Sequence, residues 1–164
     1  MPNTAPIWAP LPGATFGQAV GRFFKKYVTF SGRASQSEFW WVVLFNLLVQ
    51  LAFLILLGIG LGTSMQSGVV SSSPDSWGAA FSANWLVGLA SVLMSLWTLV
   101  VTIPSLALVS RRLHDVNMSS WWLLLGLTGV GTVFFLTIGL VPSNPLALRY
   151  DSVPSQFPVP NEYQ

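Results

Sequence analysis

The chain contains no cysteine, which excludes a disulfide framework and thiolate metal centres. Charge is almost as scarce: Asp, Glu, Lys and Arg together make up 7% of the 164 residues, against about 25% in an average soluble domain. There is one histidine, His114. A zinc site needs at least three protein ligands, and only Asp115 and Glu38 could join it, so no metal and no other cofactor is expected. No G-x-S-x-G, H-E-x-x-H or Walker pattern occurs. Residues 1–21 have no basic side chain, and Pro2, Pro6, Pro10 and Pro12 interrupt any long helix, so this stretch does not read as a secretory signal.

What the chain has instead is apolar length. Hydrophobic residues make up 52% of it, and the mean hydropathy is +0.64. No charge lies between Glu38 and Asp75, between Asp75 and Arg111, or between Asp115 and Arg149. Each gap exceeds the ~20 residues that cross ~30 Å of hydrocarbon, and each is far too long for a buried strand. The expected fold is therefore an all-α integral membrane protein with three transmembrane helices at about 39–61, 85–109 and 121–141. A Gly- and Ser-rich loop (62–84) and a short polar one (110–120) connect them within a membrane domain of residues 31–141. The tails, 1–14 and 142–164, hold nine of the eleven prolines and are expected to be extended.

Sidedness follows from the cations. Arg22, Lys25, Lys26 and Arg33 precede the first span, Arg111 and Arg112 open the second loop, and only Arg149 follows the third span. The positive-inside rule then places the amino terminus and the 110–120 loop in the cytoplasm and the carboxyl terminus outside. Trp40, Trp41, Trp121 and Trp122 would form an aromatic belt at the inner interface.

Residues 15–30 form a separate unit. Phe16, Ala19, Val20, Phe23, Phe24, Tyr27 and Val28 recur at helical spacing, with Gln18, Arg22, Lys25 and Lys26 opposite. The expectation is an amphipathic helix lying in the interface, with Arg22, Lys25 and Lys26 facing anionic headgroups. The competing reading packs this helix on the spans.

Two charged entries frame the membrane domain. In "SGRASQSEFWWVVLFN", Ser31-Gly32 is a turn signal, and Ser35 with Glu38 fits the S-x-x-E capping box that satisfies the first N–H groups of a helix. In "RRLHDVNMSSWW", Arg111 and Arg112 end the second span with the favourable sign for a helix dipole. Desolvated charges need partners, so Arg33, Glu38, Arg111, Arg112, His114 and Asp115 are expected to form one polar cluster. Arg111 or Arg112 would bond Glu38 across helices, and Asp115 could reach either arginine within its own helix end. His114 has a suitable titration range for acid–base work, but a structural or headgroup-binding cluster is the favoured reading.

These two stretches together resemble the bacterial membrane family called domain of unknown function 805, over roughly residues 15–155. The family shows a G-R-x-S-R-x-E-[FY]-W entry, an R-R-L-H-D loop followed by S-G-W-W, and a P-x-x-P-x-x-N-x-[YF]-G tail. This chain departs at Gln36, where arginine is usual, and at Asn117, Met118 and Ser120, where Gly, a basic residue and Gly are common. It departs again at Leu148 and Asp151, where Asn and Gly are usual. The resemblance implies a small inner-membrane protein and supplies no established chemistry.

Within the second span, Gly88, Ser91, Ser95, Thr98, Thr102 and Ser105 repeat at intervals of three and four residues. Such a stripe lets helices approach closely in lipid, and Asn46 and Gln50 on the first span could dock on it. Alternatively, each hydroxyl simply bonds the carbonyl four residues back. The expected function is that of a non-enzymatic membrane protein that organises partners or senses lipid at the inner face. The alternative is a small transporter or channel made by oligomerising polar helix faces. Expected partners are membrane lipids, with a homo-oligomer open and no nucleic acid.

Overall fold

The computed structural model describes residues 9–66, 84–127 and 131–144. The rest of the amino tail, most of the 62–84 loop and the carboxyl tail from 145 lie outside the described residues. All regular structure among the described residues is helical. Helix α1 is Phe16–Lys25, α2 is Gln36–Gln66 and α3 is Trp85–Asp115; a 3₁₀ segment, Ser120–Leu127, and α4, Gly131–Leu140, follow.

Helices α2 and α3 each have 31 residues, about 46 Å of helix, which is more than the ~30 Å of a hydrocarbon core. Only 6% of the most apolar stretch of α2 and 17% of that of α3 is buried within the chain. The core helix of a soluble protein would be mostly covered, so these surfaces are suited to lipid. Helix α3 continues through Pro104. At its start, Asn84 accepts the Leu86 N–H (3.0 Å) and donates to the Gly60 carbonyl (2.8 Å), Thr63 Oγ1 (2.9 Å) and Ser64 Oγ (2.8 Å) of α2. At its end, Asn117 adopts φ +63°. The Asn117 N–H donates to the His114 carbonyl (2.9 Å) and the Met118 N–H to the Leu113 carbonyl (2.8 Å), which is the Schellman pattern. Asn is the residue that best replaces glycine there.

The third apolar tract differs from expectation. It is not one helix over 121–141 but two short ones that lie against each other. The Trp122 and Phe134 rings stack with centroids 5.3 Å apart, whereas a continuous helix would separate residues twelve apart by about 18 Å. A Cβ on Gly131 would collide with the Leu125 carbonyl, so this close approach requires glycine. Helix α4 has ten residues, about 15 Å, half of a hydrocarbon core. Its end returns to the end of α3: the Asn144 N–H donates to the Asp115 carbonyl (2.9 Å), and Arg112 donates to the Val141 carbonyl. A tract that crossed the membrane would hold residues 115 and 144 a bilayer apart. The expected single third span is at odds with this contact; the tail from 145, expected to exit outward, lies outside the described residues.

The chain divides into two compact units, one formed by Leu44–Val101 and the other by the residues up to Val43 and from Thr102 onward. All the charged side chains discussed below belong to the second.

Candidate functional site

The cluster begins at α1. Its buried stripe is Ala19, Phe23 and Lys26, with Arg22 nearly covered, while Phe16, Phe24, Lys25 and Val28 are exposed. Positions 19, 22, 23 and 26 are one i, i+3, i+4, i+7 face, so the helix packs inward through two apolar and two cationic residues. Of the three cations expected at the headgroups, only Lys25 points outward; Arg22 and Lys26 turn into the protein. Arg22 Nη1 donates to Glu38 Oε1 (3.0 Å) and to the Ala9 carbonyl (2.8 Å).

Glu38 lies in the first turn of α2 and is 3% exposed. Its N–H donates to Ser35 Oγ (3.2 Å), and the Ser35 N–H donates to Glu38 Oε2 (3.1 Å), which closes a reciprocal cap. Ser35 Oγ also donates to the Leu11 carbonyl (2.7 Å), and the Ala14 N–H donates to Ser37 Oγ (3.0 Å), so the cap also anchors residues 11–14. The arginine bonded to Glu38 is therefore Arg22, not Arg111 or Arg112.

The end of α3 carries the other half. Arg112 is fully buried and donates to Asp115 and, at 3.4 Å, to the Ala34 carbonyl. Asp115 is 1% exposed; it also accepts from Ser143 Oγ (2.5 Å) and faces Arg33 Nη1 at 3.8 Å. Arg111 donates from Nε to the Ala107 carbonyl (3.1 Å), and its own carbonyl accepts the Ala34 N–H (3.2 Å). His114 is bonded on both ring nitrogens: Nδ1 meets the Gly32 carbonyl (3.2 Å) and Nε2 meets Ser120 Oγ (2.7 Å). Because a carbonyl only accepts, Nδ1 carries the proton and Ser120 donates to Nε2. Ser120 Oγ also meets Ser110 Oγ at 2.7 Å.

Five buried or nearly buried cations (Arg22, Lys26, Arg33, Arg111 and Arg112) thus surround two carboxylates, Glu38 and Asp115. Burial lowers the Lys26 ammonium to about 8; the Glu38 charge opposes that shift, and the charges of Arg111 and Arg22 add to it. Sequence patterning did not reveal the parts played by Gln36, Ser143 and Ser120. Gln36 Nε2 donates to the Gly139 (3.2 Å) and Leu140 (2.8 Å) carbonyls, joining α4 to α2.

The stripe on α3 is arranged differently. Ser91, Ser95 and Thr98 donate to the carbonyls of Val87 (2.7 Å), Ser91 (2.8 Å) and Met94 (2.8 Å), each within its own helix. Ser95, Thr98 and Thr102 are exposed; Gly88, Ser91, Ser105, Asn46 and Gln50 are half-buried.

Two long lipid-suited helices, a packed amphipathic helix, a folded-back apolar hairpin and a buried cationic cluster define a small all-helical membrane protein. The family described as "Protein of unknown function (DUF805)" matches residues 27–152, and the chain belongs to it. The inner membrane protein YhaH of Escherichia coli (strain K12) is 28% identical over 138 residues, covering 84% of this chain and 96% of the relative. The inner membrane protein YhaI of the same strain is 32% identical over 135 residues, covering 79% and 89%. No solved structure matches.

Proposed function

We propose that this protein is a non-enzymatic component of a bacterial inner membrane that engages anionic lipid at the cytoplasmic face through its cationic end. The observation that carries this reading is the excess of five cations over two carboxylates in one cluster, flanked by exposed Phe16, Phe24, Val28 and Lys25. Exposed aromatic side chains next to basic ones are the composition of an interfacial anchor. The names of the relatives support the location. Engagement of both nitrogens of His114 supports a structural role for the one side chain suited to proton transfer near neutral pH.

In this reading the apolar hairpin is re-entrant, entering and leaving on the cytoplasmic side. Non-helical or broken backbone at membrane depth is tolerated where protein covers it, as at the contacts of Gly131 with Leu125 and Gly126. All six lysines and arginines among the described residues then lie on one side of the membrane, in keeping with the positive-inside rule.

The test is reconstitution into nanodiscs of phosphatidylcholine alone or with added phosphatidylglycerol. Thermal midpoints should rise with the anionic fraction, and the gain should shrink in 1 M salt, where the Debye length falls to about 3 Å. Equal midpoints in the two lipids would refute the reading.

A further inference from the structure

The cationic cluster is not internally balanced, and the imbalance has a location. Glu38 is committed to Arg22 and to the Ser35 cap, and Asp115 to Arg112, Ser143 and Arg33. Two cations remain without a carboxylate in ion-pair reach among the described residues. Arg111 is 2% exposed, and its Nη2 has no hydrogen-bond partner. Lys26 is 4% exposed and lies within the electrostatic reach of Glu38, which is already bonded to Arg22, and of the cations Arg111 and Arg22. A guanidinium nitrogen buried without an acceptor is costly, and a second unpaired cation beside it adds repulsion. One anion with several acceptor oxygens would give the unpartnered guanidinium nitrogen an acceptor and the ammonium a counter-charge together.

We propose that Arg111 and Lys26 form a binding site for a single phosphate group, supplied by the headgroup of an anionic phospholipid. Inorganic phosphate presents the same oxygens and is the other source of this chemistry. The proposal rests on the reading that this end of the protein lies at the acidic-lipid face, and it makes a narrower claim. General attraction of a basic surface to acidic lipid is weak, additive and spread over many lipids, whereas a buried guanidinium with one unpartnered nitrogen takes one ligand and saturates.

The experiment uses full-length protein, delipidated in a mild uncharged detergent and titrated with short-chain phosphatidylglycerol or with inorganic phosphate. Thermal midpoint and bound mass by native mass spectrometry are the two readouts. The expected result is saturation at one bound phosphatidylglycerol, with the apparent affinity lowered at least tenfold by Arg111→Gln and by Lys26→Gln. Thr137→Val, whose hydroxyl bonds only the Val133 carbonyl of its own helix, should keep the parental curve. Arg111→Lys retains the charge without the planar fork; its affinity should fall between those of the parent and Arg111→Gln, and it is the variant to use if Arg111→Gln does not fold. Equal saturation by phosphate alone would assign the site to the free anion. Parental affinity in both the Arg111 and Lys26 variants would overturn the site, even if bilayer phosphatidylglycerol still stabilises the parent. Lack of any saturable binding by the parent would overturn it as well.

Discussion

Asp115 holds together the end of α3, the turn at Arg33 and the return of the hairpin, and replacing it with asparagine isolates its charge. The side chain is 1% exposed, its partner Arg112 is wholly buried, and Arg33 stands 3.8 Å away. Asp115→Asn keeps size and some hydrogen bonding but leaves Arg112 without a counter-charge. Breaking a buried pair from one side costs about 3–5 kcal/mol. Ser143→Ala removes one bond to the same carboxylate from an exposed residue and should cost only about 1 kcal/mol. Arg112→Gln should be nearly as damaging as Asp115→Asn, since it also removes the donor to Val141. The double variant Arg112→Gln with Asp115→Asn should recover at least 1 kcal/mol relative to the sum of the single changes, because two neutral amides replace a stranded ion. Unfolding in bicelles, followed by tryptophan fluorescence during denaturant titration, measures all four proteins. Additivity within about 0.5 kcal/mol, or an Asp115→Asn no worse than Ser143→Ala, would show that the pair does not hold the hairpin.

Three further outcomes follow from the geometry. A reporter fused after Gln164 should report the cytoplasm, on the same side as one fused before residue 9, because Asn144 returns to Asp115; an outside signal would mean that the apolar hairpin spans. Gly139→Val should destabilise by about 1–3 kcal/mol and be partly rescued by Phe39→Leu, since a Cβ at Gly139 would sit 2.5 Å from the Phe39 ring, and this is checked by thermal midpoint. In detergent without phospholipid, stability should rise between pH 8 and about 10.5 by up to about 3 kcal/mol, because there the unfolded chain holds the Lys26 proton and the folded one does not. Lys26→Met should flatten that slope, which a pH series of unfolding midpoints would measure.

The first two spans were legible because a long uncharged tract admits few alternatives once it exceeds a bilayer. The third tract passed the same test of length and hydropathy, yet neither quantity reports continuity. The informative signal was glycine: Gly126, Gly129 and Gly131 interrupt "GLTGVG" at the middle of the expected span, and Gly131 is where the backbones of the hairpin meet. The serine–glutamate cap was readable because it is local, with donor and acceptor three residues apart. The partner of Glu38 was not, since Arg22 reaches it only when α1 folds onto the start of α2. Counting charges by sequence neighbourhood favoured Arg111 or Arg112, whereas the i, i+3, i+4, i+7 spacing of Ala19, Arg22, Phe23 and Lys26 was the clue that two of the α1 cations turn inward. Asn117 is a departure from the family that the structure explains, as a left-handed helix cap that asparagine tolerates.

The hairpin also accounts for the concentration of scarce polar groups at one end of the molecule. A helix leaves its last four carbonyls without intrahelical donors, and in lipid no water replaces them. Helix α4 ends against protein, and its terminal carbonyls receive donors from other elements. The Trp40 indole N–H donates to Gly139 (3.0 Å), Gln36 to Gly139 and Leu140, and Arg112 to Val141. A crossing helix would have delivered those carbonyls to the opposite interface, where headgroups and water satisfy them and no arginine is required. A returning helix needs donors from the structure it returns to, and those donors must be held by counter-charges of their own. Asp115 does this for Arg112, and the capped Glu38 does it for Arg22, which binds α1 over the start of α2. The cations at 111–112 therefore diverge at adjacent residues: Arg112 serves the hairpin through Asp115 and Val141, whereas Arg111 donates from Nε to the Ala107 carbonyl of its own helix and keeps a buried Nη2 without an acceptor.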